Sequence, residues 1–448
     1  MKAKTEGEIG MRNANRNLWR RCDIQTIQRR PKALIFAICI LAFAFLLWPD
    51  AGGAHEPITT KILFNKEVVR VLQRNCLGCH HEGGIAPWSF VTYDEARPWA
   101  KAIKEELLEK RMPPWHAVKG YGEFRNTPSL TQREIDMIVN WVEGGAPPGK
   151  PENLPKEPLV SDDWPLGNPG MVLKPETEQA VASDADEHRR IALAGSIKED
   201  RWVTAVDLRP GNGSIVHCAT IYAEESGPRI EQTKDAGRTV SSSNASAFVL
   251  GTWMPGRNTV ALPEGTAQFV RAGSRIVLEI HYRGAGETVK DLSEVGLYFA
   301  PSSPRKQARE IAVTNPDATI PAGVGDSRIV ATITLNQDSE AIAIRPCVNP
   351  LAVSLQATAR RPDGSQEILV WARGYRFDWQ PTYFYKRPVV LPKGTQIEVI
   401  AYFDNSENNR KNPNSPPKDV RWSEVSKGPL CALLIANAAN ERESTGQR

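Results

Sequence analysis

The chain has 448 residues, 41% hydrophobic and 24% charged, the composition of an ordinary globular protein with room for about three domains. Its net charge of +4 comes from one end. Residues 1–32 hold nine Lys/Arg against three Asp/Glu, a net of +6, so the other 416 residues (448 − 32) sum to about −2 (4 − 6). A basic charge of this origin says nothing of a nucleic-acid partner, and none is expected; it marks the flank of a membrane segment.

Ala33–Trp48 is that segment, apolar throughout and preceded by Arg29, Arg30 and Lys32. Its sixteen residues are short for a spanning helix, which takes about 20; they fit a signal h-region or a short anchor. Ala51-Gly52-Gly53-Ala54 offers a cleavage site after Ala54, whereas the long charged stretch ahead favours an uncleaved anchor. A buried core helix is the third reading. The positive-inside rule puts residues 1–32 in the cytoplasm and the rest outside, in the periplasm or another extracytoplasmic space. Residues 1–54 therefore read as a cytoplasmic tail with a signal or anchor segment.

Residues 55–150 read as a small helical domain. Asn65 is placed to cap a helix bearing Val68, Val69 and Leu72, which runs into Cys76-Leu77-Gly78-Cys79-His80. Two thiols at this spacing can each add to a vinyl group of one haem, and the adjacent imidazole then lies under the iron. Cys-x-x-Cys-His is read as c-type haem attachment for that reason. A zinc knuckle would need a second ligand pair at matching spacing, and none is nearby. A thioredoxin-like disulfide would need βαβ flanks, and these flanks read as helical. Export agrees with covalent haem, because in bacteria the haem is attached outside the cytoplasmic membrane. A second helix is expected over Asp94–Lys110, with Trp99, Ile103 and Leu107 on one face. Thr131 and Glu134 make a capping-box pattern ahead of Ile135, Ile138, Val139 and Val142, and Gly144, Gly145 and Pro147 stop that helix.

The sixth iron ligand has three candidates. Met112 stands on the proline-stiffened Arg111-Met112-Pro113-Pro114-Trp115 loop. It would give a His/Met haem of raised potential with no open position for oxygen, which suits electron transfer; its bland reading is core packing. His116 would give a bis-His haem of lower potential. His81 adjoins His80 and cannot easily reach the opposite face.

Residues 151–175 form a linker rich in Pro, Asp and Gly. Beyond it, short β-branched runs separated by turns predict β-sandwich structure. Arg275–Tyr282 alternates, with Ile276, Leu278, Ile280 and Tyr282 facing one way and Val277, Glu279 and His281 the other. Residues 397–403 alternate likewise through Ile397, Val399, Ala401 and Phe403, and Pro362-Asp363-Gly364 is a turn. Leu262-Pro263-Glu264-Gly265-Thr266 recurs as Leu391-Pro392-Lys393-Gly394-Thr395. Two related sandwiches are expected, 176–305 and 306–448, dividing near 303–325.

Three stretches carry a resemblance: Cys76-Leu77-Gly78-Cys79-His80-His81-Glu82-Gly83-Gly84-Ile85-Ala86-Pro87, Tyr93-Asp94-Glu95-Ala96-Arg97-Pro98-Trp99 and Met112-Pro113-Pro114-Trp115. Together they resemble a cytochrome c family whose haem module precedes a copper type II, ascorbate-dependent monooxygenase-like (peptidylglycine hydroxylase-like) module. The later half resembles that second module, and the likeness spans about 55–448. It implies a small all-α class I cytochrome c domain carrying haem c, followed by an all-β tandem pair of jelly-roll-like sandwiches.

The resembled monooxygenases hold one copper on a His-His pair and a distant His. Arg209-Pro210-Gly211-Asn212-Gly213-Ser214-Ile215-Val216-His217-Cys218 matches the pair's context with Cys218 in place of the second His, and His281 matches the distant one. The second copper takes a His-x-His and a later Met. Here the matching stretch is Pro346-Cys347-Val348-Asn349, and the Met position falls near Leu430-Cys431. After His281 there is no further His, and after Met254 no further Met. Pro362-Asp363-Gly364, Phe377-Asp378-Trp379-Gln380 and Asp404-Asn405-Ser406 keep the family's texture. The resemblance therefore implies a retained fold with its oxygen-activating copper site lost. A single copper on His217, Cys218 and His281 stands against three residues of a packed sandwich.

Two function classes compete: a cytochrome that transfers single electrons to unidentified redox partners, its β module a binding or docking part, and a copper monooxygenase fed electrons by its own haem. A haem sensor is a third. The resemblance also implies that Cys347 and Cys431 lie on strands that converge on one copper elsewhere. A disulfide between them, closing 84 positions (431 − 347), would stabilise by roughly 4 kcal/mol on the chain-entropy model; two buried thiols are the alternative.

Overall fold

A computed structural model describes residues 59–421, apart from 129, 157–158, 162, 183–185, 226–245, 257–258, 285 and 378, together with the backbone of 431–440. Ala33–Trp48, the tail before it and Ala54 lie outside the described residues, among which no helix is long and apolar enough to cross a membrane. The chain is mostly β-sheet with few helices.

Those helices lie between Phe64 and Asn153. The first opens as one π turn at Phe64–Val68 and continues as α over Val69–Asn75. Asn65 does not cap it, contrary to expectation. Leu63 is the cap residue, while Asn65 is buried in the first turn and donates its Nδ2–H to the Gly149 carbonyl at 3.2 Å. The expected second helix is broken. Tyr93–Ala96 gives way to a 3-10 turn, Arg97–Trp99, before Ala100–Leu108, because Pro98 has no N–H for the ladder and its ring crowds the preceding turn. Gln132–Glu143 forms behind its Thr131/Glu134 capping box and buries Ile138, Trp141 and Val142. These helices share a core of Phe64, Val68, Leu72, Phe90, Ile103, Leu107 and Trp141, into which Leu77 of the Cys-x-x-Cys-His stretch also packs.

The described strands fall into two sets of ten. The first set is β1 (Met171–Leu173), β2 (Gln179–Val181), β3 (Glu187–Ala192), β4 (Arg201–Arg209), β5 (Val216–Glu225), β6 (Ser246–Trp253), β7 (Thr266–Val270), β8 (Arg275–Tyr282), β9 (Val289–Asp291) and β10 (Glu294–Phe299). The second is β11 (Lys306–Thr314), β12 (Thr319–Ile320), β13 (Ser327–Thr334), β14 (Ser339–Val348), β15 (Ala352–Arg360), β16 (Gln366–Arg373), β17 (Tyr383–Leu391), β18 (Gln396–Phe403), β19 (Val420–Arg421) and β20 (Cys431–Asn440).

The sets repeat one topology with an offset of ten. Orders β1-β10-β4-β7, β3-β8-β5-β6 and β2-β9 in the first recur as β11-β20-β14-β17, β13-β18-β15-β16 and β12-β19 in the second. A parallel pairing of β7 with β11 fuses the two four-stranded sheets into one of eight strands. Alternation fills the two cores. Ile276, Leu278, Ile280 and Tyr282 of β8 point into the first, and Ile397, Val399, Ala401 and Phe403 of β18 into the second.

The duplication expected from the sequence is present in the topology, but the matched pentapeptides are not its counterparts. Leu262–Thr266 leads into β7, whereas Leu391–Thr395 turns from β17 into β18; the true counterpart of that turn is residues 271–274, between β7 and β8. There the Ser274 N–H donates to the Arg271 carbonyl at 3.2 Å, as Thr395 does to Pro392 at 3.0 Å, and Gly273 and Gly394 take φ of 84° and 86°.

Between the second and third α-helical pieces and the last one, residues 115–126 cross onto the second sandwich. Val118 donates to the Trp371 carbonyl at 2.8 Å and Arg125 to Phe384 at 2.8 Å, while Lys386 donates to Glu123 at 2.8 Å. Phe124 is buried in the second core, and Trp115 packs against it. The strap thus lies across β16 and β17.

Candidate functional site

The Cys-x-x-Cys-His stretch follows directly on Val69–Asn75. A tight turn brings its members together, with the Cys79 and His80 N–H groups donating to the Cys76 carbonyl at 3.0 and 2.9 Å. Both thiols are unbridged and half-buried. Burial, helped by nearby Cys79, pushes the Cys76 thiol up to about 12, so it stays protonated in the folded chain. His80 donates its Nδ1–H to the Trp88 carbonyl at 3.0 Å and stacks on Phe90 at 4.3 Å. That bond fixes the tautomer and leaves Nε2 as the lone-pair nitrogen, the arrangement a metal-binding imidazole uses. Burial holds His80 below its ordinary range, against the opposing pull of the Trp88 bond, so the ring is neutral. These residues fit a covalently held haem. His81 is occupied otherwise, with Nδ1 at 2.7 Å from the Leu77 carbonyl.

The first sandwich closes over the stretch. A Cβ placed on Gly256 would fall 2.6 Å from Cys79 Sγ, and one on Gly78 would fall 2.6 Å from Gly256 Cα. Gly213, before β5, approaches the Gly83 carbonyl as closely as 2.8 Å by the same measure. Only glycines permit these contacts, so attachment turn and sandwich are packed backbone to backbone.

Met112 lies just past Ala100–Leu108 on a loop held by the Arg111–Glu106 pair (2.8 Å), and its side chain is 39% exposed. His116 is placed elsewhere. It is buried against Tyr375 of the second sandwich at 5.1 Å, and its carbonyl accepts from the Arg373 N–H at 3.0 Å.

A second cluster sits on the face of β5 and β8 turned away from the first core. Cys218 is paired with His281, and the register slips between Val216 and Cys218, which makes His217 the extra residue of a β-bulge. A bulge suspends the strict alternation of a strand, so the adjacent His217 and Cys218 can both approach His281. One donor atom from each lies within 4.8 Å of the others. The two histidines meet through Nδ1 at 3.2 Å, with ring planes at 82°. Nitrogens roughly 2.0–2.1 Å from a common cation stand about 2.9–3.4 Å apart at right-angle to tetrahedral geometry, so this spacing fits a shared ion. Burial, then the neighbouring His188 and His217, push His281 down to about 4, a neutral ligand at physiological pH. Burial, with Glu279 close by, pushes Cys218 up to about 12. A metal would have to displace its proton.

The sequence did not single out two neighbours of this cluster. His188, on β3, is the register partner of His281 and stacks on it at 4.2 Å with planes 4° apart. Asp186 lies 3.6 Å from His281 Nε2. A periodicity reading of β3 and β8 could expose each position but not their pairing, which depends on the sheet order.

The stretch around Cys347, which the resemblance matches to the ligands of a second copper, is filled differently. The Cys347 thiol faces Arg345 and Glu310, which meet at 3.5 Å; a buried guanidinium beside the thiol opposes a second cation there. Burial raises the Cys347 thiol, with Arg345 pulling the other way. The expected bridge to Cys431 is absent, since Cys347 is an unbridged thiol. The pairing sets Cys347 opposite Ala432 and Val348 opposite Cys431, so the two cysteine positions belong to alternate rows of the ladder.

No family model matches the chain, and none of the curated proteins does. Among solved structures it is similar to the major capsid protein P2 of bacteriophage PM2 at 9% identity and a TM-score of 0.27, over 60% of this chain and 97% of that one. It is also similar to peptide-N(4)-(N-acetyl-β-D-glucosaminyl) asparagine amidase at 11% identity and 0.28, over 60% and 96%. Allantoicase from Saccharomyces cerevisiae follows at 8% identity and 0.17, over 58% and 79%. Likenesses this distant carry no functional argument.

Proposed function

We infer that this is an exported c-type cytochrome that carries single electrons. In this reading haem c is bound through Cys76 and Cys79 and ligated by His80 and Met112 in a class I cytochrome c domain. The tandem jelly-roll-like pair serves for binding or docking, and the N-terminal segment holds the protein outside the cytoplasmic membrane, in the periplasm. The observation that carries the reading is the His80 Nδ1–H bond to the Trp88 carbonyl beside two thiols at haem spacing. A haem with His and Met axial ligands exchanges electrons without offering oxygen a coordination site. What this chain supplies is the Cys-x-x-Cys-His turn, a neutral imidazole with Nε2 available, and a partly exposed thioether on a short loop. The test is the mass of the exported protein together with its haem absorbance after denaturation. A covalent haem lost on changing Cys76 and Cys79 to Ala supports the reading, and an apo-protein from a host competent in cytochrome c maturation sinks it.

A second reading is favoured by one observation, the three donor atoms of His217, Cys218 and His281 within 4.8 Å. Two imidazoles and a thiolate suit copper, and in this reading the haem feeds electrons to that ion in an ascorbate-type monooxygenase. Against it stand the missing His-x-His and Met and the buried Arg345. Copper quantification on haem-loaded protein separates the readings. Oxygen-dependent, ascorbate-driven hydroxylation of a peptide or small substrate would establish the second.

A further inference from the structure

We propose that Asp186 is a positioning residue for a metal-binding His281, fixing the imidazole so that Nδ1 is the nitrogen turned toward the ion. The proposal rests on the reading that His217, Cys218 and His281 hold a cation. Asp186 stands at the start of β3, and its two carboxylate oxygens are used separately. One accepts the Gly284 N–H at 3.3 Å, and the other lies 3.6 Å from His281 Nε2. Gly284 follows β8 by two residues, so the carboxylate is anchored just past the end of the strand whose histidine it faces. Two residues further along β3, His188 covers one face of the same ring at 4.2 Å. The start of β3 therefore borders His281 on two sides, with a carboxylate just beyond hydrogen-bond distance of its Nε2 edge and a ring on one face. The remaining nitrogen, Nδ1, is left against Nδ1 of His217 at 3.2 Å.

As an ion pair this contact achieves little, since Asp186 is exposed and such pairs are weak. Its geometry has a purpose when an ion is bound. A carboxylate on the far nitrogen of a ligating histidine fixes the tautomer and raises the basicity of the near one, and losing it typically weakens metal binding about 10–100-fold. His188 is stacked nearly parallel to His281, at 4°. Parallel faced rings direct their nitrogens along parallel lines, not to one point, which makes His188 a support and not a fourth ligand. The donor set is then two imidazoles and one thiol, suited to copper(I) or zinc.

Copper(I) is the probe. Haem-loaded protein is titrated anaerobically in competition with a chromophoric copper(I) chelator, and protection of Cys218 from alkylation is followed by mass spectrometry. The wild type is expected to take one ion and to protect Cys218. Asp186→Asn should weaken binding by about 10–100-fold yet still protect Cys218 at saturation, and Asp186→Glu should recover part of the loss. His188→Phe, which keeps a stacked ring without a donor nitrogen, should bind as the wild type does. Unchanged affinity in Asp186→Asn overturns the proposal. So does loss of binding in His188→Phe, which would make that residue the ligand. Failure of the wild type to protect Cys218 removes the metal site altogether while leaving the cytochrome reading intact, because haem content is measured on the same sample. Circular dichroism of each variant separates misfolding from lost affinity.

Discussion

At the scale of single residues, the assignment of iron ligands turns on which side chains are already committed. His81 is held to the Leu77 carbonyl and His116 to the second sandwich, whereas Met112 is 39% exposed on its loop. Met112→Ala should therefore abolish the near-infrared sulfur-to-iron charge-transfer band of the ferric protein and lower its potential, and His116→Ala should leave both unchanged. A wild type that lacks the band, with His116→Ala changing its spectrum, would reverse the assignment. The Cys-x-x-Cys-His stretch was legible in the sequence because the chemistry proposed for it depends on spacing along the chain. Asp186 and His188 were not. Their relation to His281 runs across strands more than ninety positions apart in sequence (281 − 188 = 93), through a pairing that only the sheet order reveals.

At the scale of elements, the helix Gln132–Glu143 shows what local signals can specify. Its capping box forms as read, with the Thr131 hydroxyl accepting from the Glu134 N–H at 3.3 Å and Glu134 accepting from the Thr131 N–H at 2.8 Å. Thr131→Ala should cost about 1 kcal/mol, seen as a lower midpoint in denaturant with unchanged slope. Burial pushes the Glu134 carboxyl up, but its bonds from Arg74 and Thr131 outweigh this and hold it below the usual carboxylate range. A depressed carboxyl contributes stability that is present above its unfolded pKa and is lost as pH falls through the folded one. Glu134→Gln should thus destabilise at neutral pH, with the difference from wild type vanishing in acid. The Pro98 break and the π turn at Phe64 were less legible, since apolar periodicity survives a change of helix type. Gly256 belongs to this scale as well. Its φ of 65° and its contact with Cys79 Sγ leave no room for a methyl group. Gly256→Ala should reduce the yield of haem-loaded protein and shift its haem absorbance, whereas Gly286→Ala, at a similar φ of 79° with nothing nearby, should do neither.

At the scale of the whole molecule, three features tie the described parts together: the eight-stranded sheet shared by both sandwiches, the strap of residues 115–126, and the glycine contacts at the attachment turn. Breaking any one part exposes apolar surface on another, because Trp115 and Phe124 are core for Tyr383 and Tyr385. Thermal unfolding followed by haem absorbance and by far-ultraviolet circular dichroism should give coincident transitions, the signature of one cooperative unit. A haem transition well below that of the sheets would show the helical part to be independent. The β class was visible in the sequence as alternating runs and turns, whereas the duplication was read from a pentapeptide match that the topology does not keep. The interleaving was not, because a strap that leaves one apolar cluster to complete another looks like an ordinary loop.

The strap also has a consequence in time. Asn126 is held by Thr382 and Phe384, 256 and 258 positions later. At ribosomal rates of roughly 5–20 residues per second, between about 13 and 50 seconds separate the emergence of the strap from that of its seat. β20, which lies between β11 and β14, emerges later still. For that interval Trp115 and Phe124 have no core to enter, and the Cys-x-x-Cys-His turn has no finished sandwich to rest on. The chain from β16 onward therefore supplies both the seat of the early strap and the strand that joins β11 to β14, and a protein cut short before Cys431 would leave those two strands without it.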